Sequence, residues 1–146
     1  MTRYADTSFL VALYLPDSNT EAAAAELGVK LAPVSMTTFT IFEFVNAVSA
    51  RRFRGDISAR EMDSVLAGFR EDIARGSYEN KSLPDRVWER AAALAEAHTP
   101  RLGIRALDVL HVAIATDLGA STFYTFDERQ RKLARAVGLH VRPVRI

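Results

Sequence analysis

The chain has 146 residues, of which 49% are hydrophobic and 25% are charged, so we expect one globular domain spanning residues 1–146. It contains no cysteine, which excludes disulfides and thiolate metal sites and leaves carboxylates, histidines or water as metal ligands. The net charge of +1 does not indicate nucleic-acid binding, although residues 1–46 carry a net −3 and residues 127–146 a net +4.

The N-terminal segment has the character of a structural element. It carries Asp6 inside its apolar stretch and lacks the basic start and small-residue cleavage site of a secretory signal. No stretch of the sequence approaches the roughly 18 consecutive apolar residues that a membrane-spanning helix needs. We therefore expect no membrane association and a cytoplasmic location.

The first part of the chain alternates between strand and helix patterns. Pro16 ends the first helix, and Phe39, Phe42 and Val45 recur at helical spacing in a longer helix that Gly55 closes. The predicted elements here are a strand over Arg3–Ala5, a helix over Thr7–Leu15, a short helix over Ala22–Leu27, a strand over Ala32–Met36 and a helix from Phe39 to Arg52.

The alternation continues through the rest of the chain. Ser58 and Glu61 form a capping-box pattern at a helix start, and Pro100 is predicted to stop the following helix. The predicted elements are helices from Ser58 to Ala74 and from Pro84 to Ala97, a buried apolar helix over Leu107–Leu118, a strand over Ser121–Phe126, a helix over Asp127–Val137 and a strand over Val141–Val144. Strands alternating with helices predict an α/β fold with a parallel sheet covered on both faces.

Two aspartates directly follow predicted strands. Asp6 comes after the first strand and Asp127 after the strand that ends at Phe126. In open parallel sheets, ligands bind outside the carboxyl ends of the strands, so both positions are candidate site residues. Both are also favoured helix N-caps, and Asp127 with Gln130 resembles a capping box.

Two further acidic residues lie in apolar surroundings. Glu43 is flanked by phenylalanines inside the second long helix, and Asp108 opens the apolar helix. An unpaired buried carboxylate costs several kcal/mol or becomes protonated, so each requires a partner. That partner is either a metal site or an arginine such as Arg51 or Arg105, with helix capping as a further role for Asp108.

The contexts of these acidic residues resemble a known family. They are similar to the PIN-domain ribonucleases, and more closely to the VapC-type toxins of bacterial and archaeal toxin–antitoxin pairs. The resemblance covers essentially the whole chain, and the Leu-Asp-x-Leu-His-x-Ala run followed by Thr-Phe-Asp is its most specific part. The matching segments are Tyr4–Ser8, Thr40–Ala47, Arg105–Ala113 and Thr125–Asp127.

The resemblance implies a three-layer α/β/α fold with a central, mainly parallel sheet. It further implies an endoribonuclease that uses one or two Mg²⁺ or Mn²⁺ ions, cleaves RNA, and is held by a cognate antitoxin protein. The catalytic and metal-binding residues implied are Asp6, Glu43, Asp108 and Asp127, with Thr7, Ser8 and Thr125 as supporting groups.

The chemistry of clustered carboxylates agrees with this implication. Several carboxylates within a few Å of one another repel, and they do not all ionise readily unless a cation supplies compensating charge. Hard oxygen ligands favour Mg²⁺ or Mn²⁺, and such ions can activate a water molecule for attack on phosphorus. A side-chain nucleophile is then not required.

Positive charge near the pocket is the expected means of binding RNA. The candidate phosphate-binding residues are Arg51, Arg52, Arg54, Arg105 and Arg129, although cations near a helix C-terminus are often simply solvated. His111 stands one turn after Asp108 and could point toward the pocket, but we favour its interpretation as a core residue of the apolar helix. The helices Thr7–Leu15, Ser58–Ala74 and Pro84–Ala97 offer apolar surfaces for a homodimer.

Two other classes of function stay open at this point. A catalytically silent PIN-like module that binds RNA or protein would keep the fold without metal binding. A phosphoacceptor receiver domain also places acidic residues at strand ends, but Asp6 has no acidic neighbour and Lys132 lies in a predicted helix. A haloacid-dehalogenase-type phosphatase would need a second aspartate two positions after Asp6.

Overall fold

The computed structural model describes residues 1–28 and 33–144. Within these ranges the chain forms five strands and seven helices. The strands are β1 Thr2–Ala5, β2 Val34–Thr37, β3 Tyr78–Lys81, β4 Ala120–Tyr124 and β5 His140–Arg142. The helices are α1 Thr7–Tyr14, α2 Thr20–Gly28, α3 Thr38–Phe53, α4 Ala59–Ala74, α5 Val87–Leu102, α6 Ala106–Asp117 and α7 Glu128–Ala136.

The five strands form one sheet in the order β3-β2-β1-β4-β5, and every neighbouring pair is parallel. The central strand β1 places Tyr4 beside Ser35 of β2 and Ala5 beside Tyr124 of β4. Because all strands run the same way, their carboxyl ends meet at one edge of the sheet, where ligands bind in such folds.

Helices cover both faces of the sheet. Successive strand residues point to opposite faces, so Tyr4 and Phe123 pack with α5, α6 and α7 in one core cluster. Their neighbours Ala5 and Tyr124 pack with α1, α3 and α4 in a second cluster. The predicted three-layer α/β/α architecture is therefore confirmed.

Most predicted elements lie where the sequence patterns place them. The capping box of α4 is present, with Glu61 N–H donating to Ser58 Oγ at 3.1 Å and Ser58 N–H donating to the Glu61 carboxylate at 2.6 Å. Helix α6 is buried from Val109 to Ala115, as its apolar sequence predicts. No helix in the described ranges is both long and apolar enough to cross a membrane.

The prediction differs from the structure at one helix end and omits one strand, and the start of another predicted strand is not described. Helix α5 continues through Pro100, because in its last turn a proline forfeits only one intrahelical hydrogen bond, and Gly103 with φ of 60° ends the helix instead. Strand β3 was not predicted, since only Tyr78 of its four residues is apolar and it pairs on one side only. Ala32, where β2 was predicted to begin, lies outside the described residues.

Candidate active site

The four predicted carboxylates come from four separate segments at the carboxyl edge of the sheet. Asp6 follows β1 and caps α1, while Asp127 follows β4 and caps α7. Glu43 lies in the second turn of α3, and Asp108 lies in the first turn of α6. The charges of both Glu43 and Asp127 act on the pKa of Asp108, so these groups share one electrostatic environment.

Asp6 is the most deeply buried of the four carboxylates. Its carboxylate is fully buried and accepts hydrogen bonds from Phe9 N–H at 2.9 Å, from Thr125 Oγ1 at 2.7 Å and from Ser8 Oγ at 2.8 and 2.9 Å to its two oxygens. Burial raises the pKa of Asp6, although these hydrogen-bond donors act in the opposite direction. Since the Ser8 hydroxyl carries one proton, three donors serve about four acceptor positions, and one position remains for a further ligand.

Asp127 is tied to Asp6 through one side chain. Thr125 Oγ1 accepts from Asp127 N–H at 2.9 Å while it donates to Asp6. The Asp127 carboxylate itself accepts from Gln130 N–H at 2.8 Å. The N-cap role is thus confirmed for both aspartates. The capping box predicted for Asp127 with Gln130 is not formed, because Asp127 N–H donates to Thr125 and the Gln130 side chain donates to Asp108. Each aspartate retains carboxylate acceptor capacity beyond its cap.

Glu43 has its donors supplied by the protein. Its Oε2 accepts from Thr7 Oγ1 at 2.9 Å and contacts His111 Nε2. Burial raises the pKa of this half-buried carboxyl, but the contacts with His111 and Thr7 outweigh that effect, and the net pKa is lowered. Arg51, the ion-pair partner considered from sequence, forms no ion pair with Glu43 among the described residues.

Asp108 is less well compensated. Its Oδ1 accepts from Gln130 Nε2 at 3.0 Å, and Arg105 Nε lies 3.7 Å from Oδ2. Oδ2 is buried and has no hydrogen-bond partner in the described part of the chain. Burial raises the pKa of Asp108, and the charge of Asp127 raises it further against the weaker effect of Arg105.

Sequence reasoning missed three polar residues that support this site and interpreted a fourth, His111, as a core residue. His111 is buried with 1% of its surface exposed, so that interpretation is correct but incomplete, because it also contacts Glu43. Its position one turn after Asp108 on the same helix is the signal that allowed a place at the pocket. Tyr4, Thr40 and Gln130 carry no such signal, since their contacts depend on the tertiary fold.

The predicted arginines divide into two groups. Arg51 and Arg54 line a groove that also includes Thr7, Ser8 and Asp127, and Arg105 lines a recess with Glu43 and Asp108. Arg52 and Arg129 are exposed and line neither of these.

One arginine close to the site has a structural role. Arg131 is buried and donates to the carbonyl oxygens of Thr125 at 3.0 Å and Pro143 at 2.7 Å. Its guanidinium thus holds Pro143 and Val144 next to the residue that follows β4. It is therefore not available to a phosphate.

The chemistry of the donor set fits a divalent cation. All four groups are carboxylates, and the buried Oδ2 of Asp108, which has no hydrogen-bond partner among the described residues, is the type of atom that a cation would satisfy. Among residues 1–28 and 33–144, no three acidic or histidine side chains are placed closely enough to hold a metal ion together. A cation bound here would therefore need water for much of its coordination, which Mg²⁺ accepts.

Comparisons with known proteins agree with this architecture. VapC20 from Mycobacterium tuberculosis, a sarcin-ricin loop cleaving toxin, is 19% identical with a TM-score of 0.70 over 94% of this chain and 96% of its own. FitAcB from Neisseria gonorrhoeae is 17% identical with a TM-score of 0.68 over 96% of both chains. VapBC2 from Rickettsia felis, bound to a DNA fragment from its promoter, is 18% identical with a TM-score of 0.66 over 97% of both chains.

At these identities the likeness to solved structures establishes the fold. No curated protein sequence matches the chain. The PIN domain family matches residues 3–136, which is most of the chain and includes all four carboxylates. The chain therefore belongs to the PIN-domain family.

Proposed function

We propose that this protein is a metal-dependent endoribonuclease that hydrolyses RNA phosphodiester bonds with an activated water molecule. The observation that carries the proposal is the position of Asp108. Its Oδ2 is buried without a hydrogen-bond partner in the described part of the chain, within electrostatic range of Asp127 and Glu43 and with only the more distant Arg105 as a counter-charge. Such incompletely compensated negative charge, at the sheet edge where parallel α/β folds bind ligands, is expected where a cation binds.

The carboxylates of Asp6, Glu43, Asp108 and Asp127 would hold one or two Mg²⁺ or Mn²⁺ ions. When bound, such an ion lowers the pKa of a water molecule and stabilises the leaving oxygen of a phosphodiester. Thr7, Ser8 and Thr125 would act as supporting groups, because each donates a hydrogen bond to one of these carboxylates.

Glu43 is suited to accept a proton from the attacking water. The contacts that lower its pKa keep the carboxylate ionised at neutral pH. Both of its hydrogen-bonded contacts are made by Oε2, and within the described residues none is made by Oε1. Oε1 is thus the oxygen with acceptor capacity for water.

The groove beside Asp127 supports a single-stranded nucleic acid as the substrate. Arg51 and Arg54 lie on α3, beyond Glu43, and they supply positive charge along this groove. Arg105 supplies it beside Asp108. An RNA strand could place one phosphate at the acidic pocket and its neighbours against these arginines, while Arg52 and Arg129 are less well placed.

We further propose that the protein is the toxin of a VapBC-type pair and is inhibited by an antitoxin. The support is the likeness in fold to VapC20, FitAcB and VapBC2. A cytoplasmic location accompanies this proposal, since the RNA substrate and the antitoxin would both be found there.

A homodimer is a separate part of the proposal. Trp88 and Leu107 are 63% and 51% exposed beside an apolar groove between α5 and α6. Helix α1 has no exposed residue, and its apolar residues from Phe9 to Ala12 are buried, so it offers no comparable apolar surface. The concentration dependence of the mass measured by light scattering would test dimerisation. The receiver-domain alternative is not retained, because the PIN match covers the chain and Lys132 lies within α7.

The test is cleavage of labelled RNA by the purified protein with Mg²⁺, Mn²⁺ or a chelator. We expect metal-dependent cleavage, and we expect Asp108→Asn to lower kcat by roughly 10²- to 10³-fold, the size typical for loss of one electrostatic contribution to the transition state. Asp6→Asn should act in the same direction. Asp63→Asn is the matched control, because Asp63 is exposed on α4, and it should cleave as the unaltered protein does.

Two results would contradict the proposal. Cleavage that survives in folded Asp108→Asn and Asp6→Asn would mean that these residues are not the catalytic site. A folded protein that neither binds Mn²⁺ nor cleaves any RNA would favour the silent PIN-like module.

A further inference from the structure

A line of polar side chains runs behind Glu43 through the apolar core. Tyr4 is fully buried, and its hydroxyl lies 3.0 Å from Thr40 Oγ1 and 2.8 Å from His111 Nδ1. The other ring nitrogen of His111 contacts Glu43 Oε2. The line therefore joins the first turn of α3 to the acidic pocket by way of β1 and α6.

The two ends of this line favour one direction of donation. At one end Thr37 N–H, which can only donate, lies 3.4 Å from Thr40 Oγ1. At the other end the Glu43 carboxylate can only accept. Thr40 Oγ1 also lies 3.4 Å from Thr37 Oγ1, but its contact with the Tyr4 hydroxyl is shorter, at 3.0 Å. With the Thr40 proton donated to Tyr4, Tyr4 donates to His111 Nδ1, and the imidazole carries its own proton on Nε2, facing Glu43.

The surroundings keep these groups in place. Burial raises the pKa of Tyr4 far above its ordinary value, so the phenol retains the proton that it donates. The rings of Phe39 and Tyr4 lie 4.9 and 5.9 Å from the imidazole, centroid to centroid, and restrict its rotation. A histidine with 1% of its surface exposed and both nitrogens engaged has one orientation available.

We propose that Thr40, Tyr4 and His111 form a positioning relay that fixes the Nε2–H tautomer of His111 and thereby orients the Glu43 carboxylate. Donation to Oε2 leaves Oε1 to face the recess that Arg105 and Asp108 line with Glu43. Groups behind a ligating carboxylate set its orientation and basicity in this way. His111 is a positioning residue, and this role rests on the proposed nuclease function.

The tautomer can be measured without any activity. Long-range ¹H–¹⁵N spectra of the labelled, metal-free protein distinguish the Nε2–H, Nδ1–H and doubly protonated forms of an imidazole, and His111→Gln identifies which of the three histidines gives the signal. We expect the neutral Nε2–H form, with loss of that preference in Tyr4→Phe, which removes one oxygen atom. A neutral Nδ1–H or doubly protonated His111 would overturn the relay.

The effect on Glu43 is measured by Mn²⁺ titration calorimetry. We expect His111→Leu to weaken Mn²⁺ binding by about 10- to 100-fold, the range seen when groups behind metal ligands are removed. His111→Gln should recover most of the affinity, because its amide places a donor near the position of Nε2. In RNA cleavage kcat should fall while KM stays unchanged.

His98→Leu on α5 is the matched control, since His98 Nδ1 has no hydrogen-bond partner among the described residues, and it should bind Mn²⁺ as the unaltered protein does. A folded His111→Leu protein with unaltered Mn²⁺ affinity would overturn the proposal. If the unaltered protein neither binds Mn²⁺ nor cleaves RNA, the nuclease proposal fails, and the tautomer spectra then decide the relay on their own.

Discussion

Glu43 and Asp108 line the same recess, yet their surroundings move their pKa values in opposite directions. Glu43 receives donors from Thr7 and His111, and its pKa is lowered. Asp108 has one oxygen without a hydrogen bond in the described part of the chain, and burial together with the charge of Asp127 raises its pKa. Burial alone therefore does not determine the state of a carboxylate in this pocket.

This difference indicates that the two sides of the pocket, one at Glu43 and one at Asp108, have their negative charge compensated in different ways. On the Glu43 side the protein supplies the compensating hydrogen bonds, which keeps a base ionised without a ligand. On the Asp108 side the protein leaves part of the negative charge without a hydrogen-bond donor, so a bound cation would have to compensate it. Asp6 is intermediate, because its donors are built in but its full burial still raises its pKa.

The largest loss of stability is expected when a side chain that donates a hydrogen bond to a buried carboxylate of the site is replaced. Thr125→Val conserves the shape of the side chain but deprives the buried Asp6 carboxylate of one donor and Asp127 N–H of its acceptor. Leaving such buried groups unsatisfied should lower the free energy of unfolding by about 1–3 kcal/mol. Urea denaturation at pH 7 measures this loss.

Thr99→Val makes the same chemical change where no bond is lost, since Thr99 Oγ1 is buried and has no hydrogen-bond partner within the described residues. It should be neutral or slightly stabilising. Equal losses of unfolding free energy in the two variants would mean that the Thr125 hydrogen bonds do not contribute to stability. The pocket carboxylates would then not depend on hydrogen bonds supplied by the protein.

A smaller effect is expected on RNA affinity, when arginines that line the groove are compared with arginines that do not. Arg51 and Arg54 line the groove beyond Asp127, whereas Arg52 and Arg129 do not. Arg51→Ala with Arg54→Ala should weaken single-stranded RNA binding several-fold, and each lost phosphate contact should reduce the slope of log K against log salt by about 0.7. Filter binding in an Asp108→Asn background measures affinity without cleavage.

The paired substitutions Arg52→Ala and Arg129→Ala remove the same charge from the surface. They should change affinity less and leave the salt slope nearly unaltered. An equal effect of both pairs would indicate that RNA is attracted by overall charge and that the groove is not its path.

The sequence predicted the fold well, because local patterns determined it. Alternating strands and helices, the Ser58–Glu61 capping box and the apolar run of α6 all act within a few residues. Strand β3 was not predicted, because an edge strand with one apolar residue has no such pattern. Helix α5 continues through Pro100 and ends at Gly103, which adopts the left-handed conformation typical of a helix C-terminus.

The candidate site was predictable only in part. Asp6 and Asp127 were found from their places after strands, and Glu43 and Asp108 from charge in apolar surroundings. The opposite pKa directions of Glu43 and Asp108 were not predictable, because the donors arise at positions distant in sequence: His111 is 68 residues from Glu43, and Gln130 is 22 residues from Asp108.

The smallest change in stability is expected from substitutions that test the opposite pKa shifts of Glu43 and Asp108. A carboxyl whose folded pKa is raised gives stability that is present below its unfolded pKa and is lost as the pH rises through the folded pKa. Asp108→Asn should therefore be more stable than the unaltered protein at pH 7 in chelator, by less than about 1 kcal/mol because solvent screens this half-buried group. The gain should vanish as the pH falls toward 3.8, the ordinary pKa of an aspartate.

Glu43→Gln is the matched substitution on the other side, and its sign is reversed. A lowered folded pKa gives stability that is present above the unfolded pKa, near 4.5, and is lost as the pH falls through the folded value. This variant should be less stable at pH 7, and the deficit should shrink in acid. Denaturation curves of both variants at several pH values between 7 and 4 test these expectations. A change in stability of the same sign in both variants at pH 7 would contradict the opposite pKa shifts of Glu43 and Asp108.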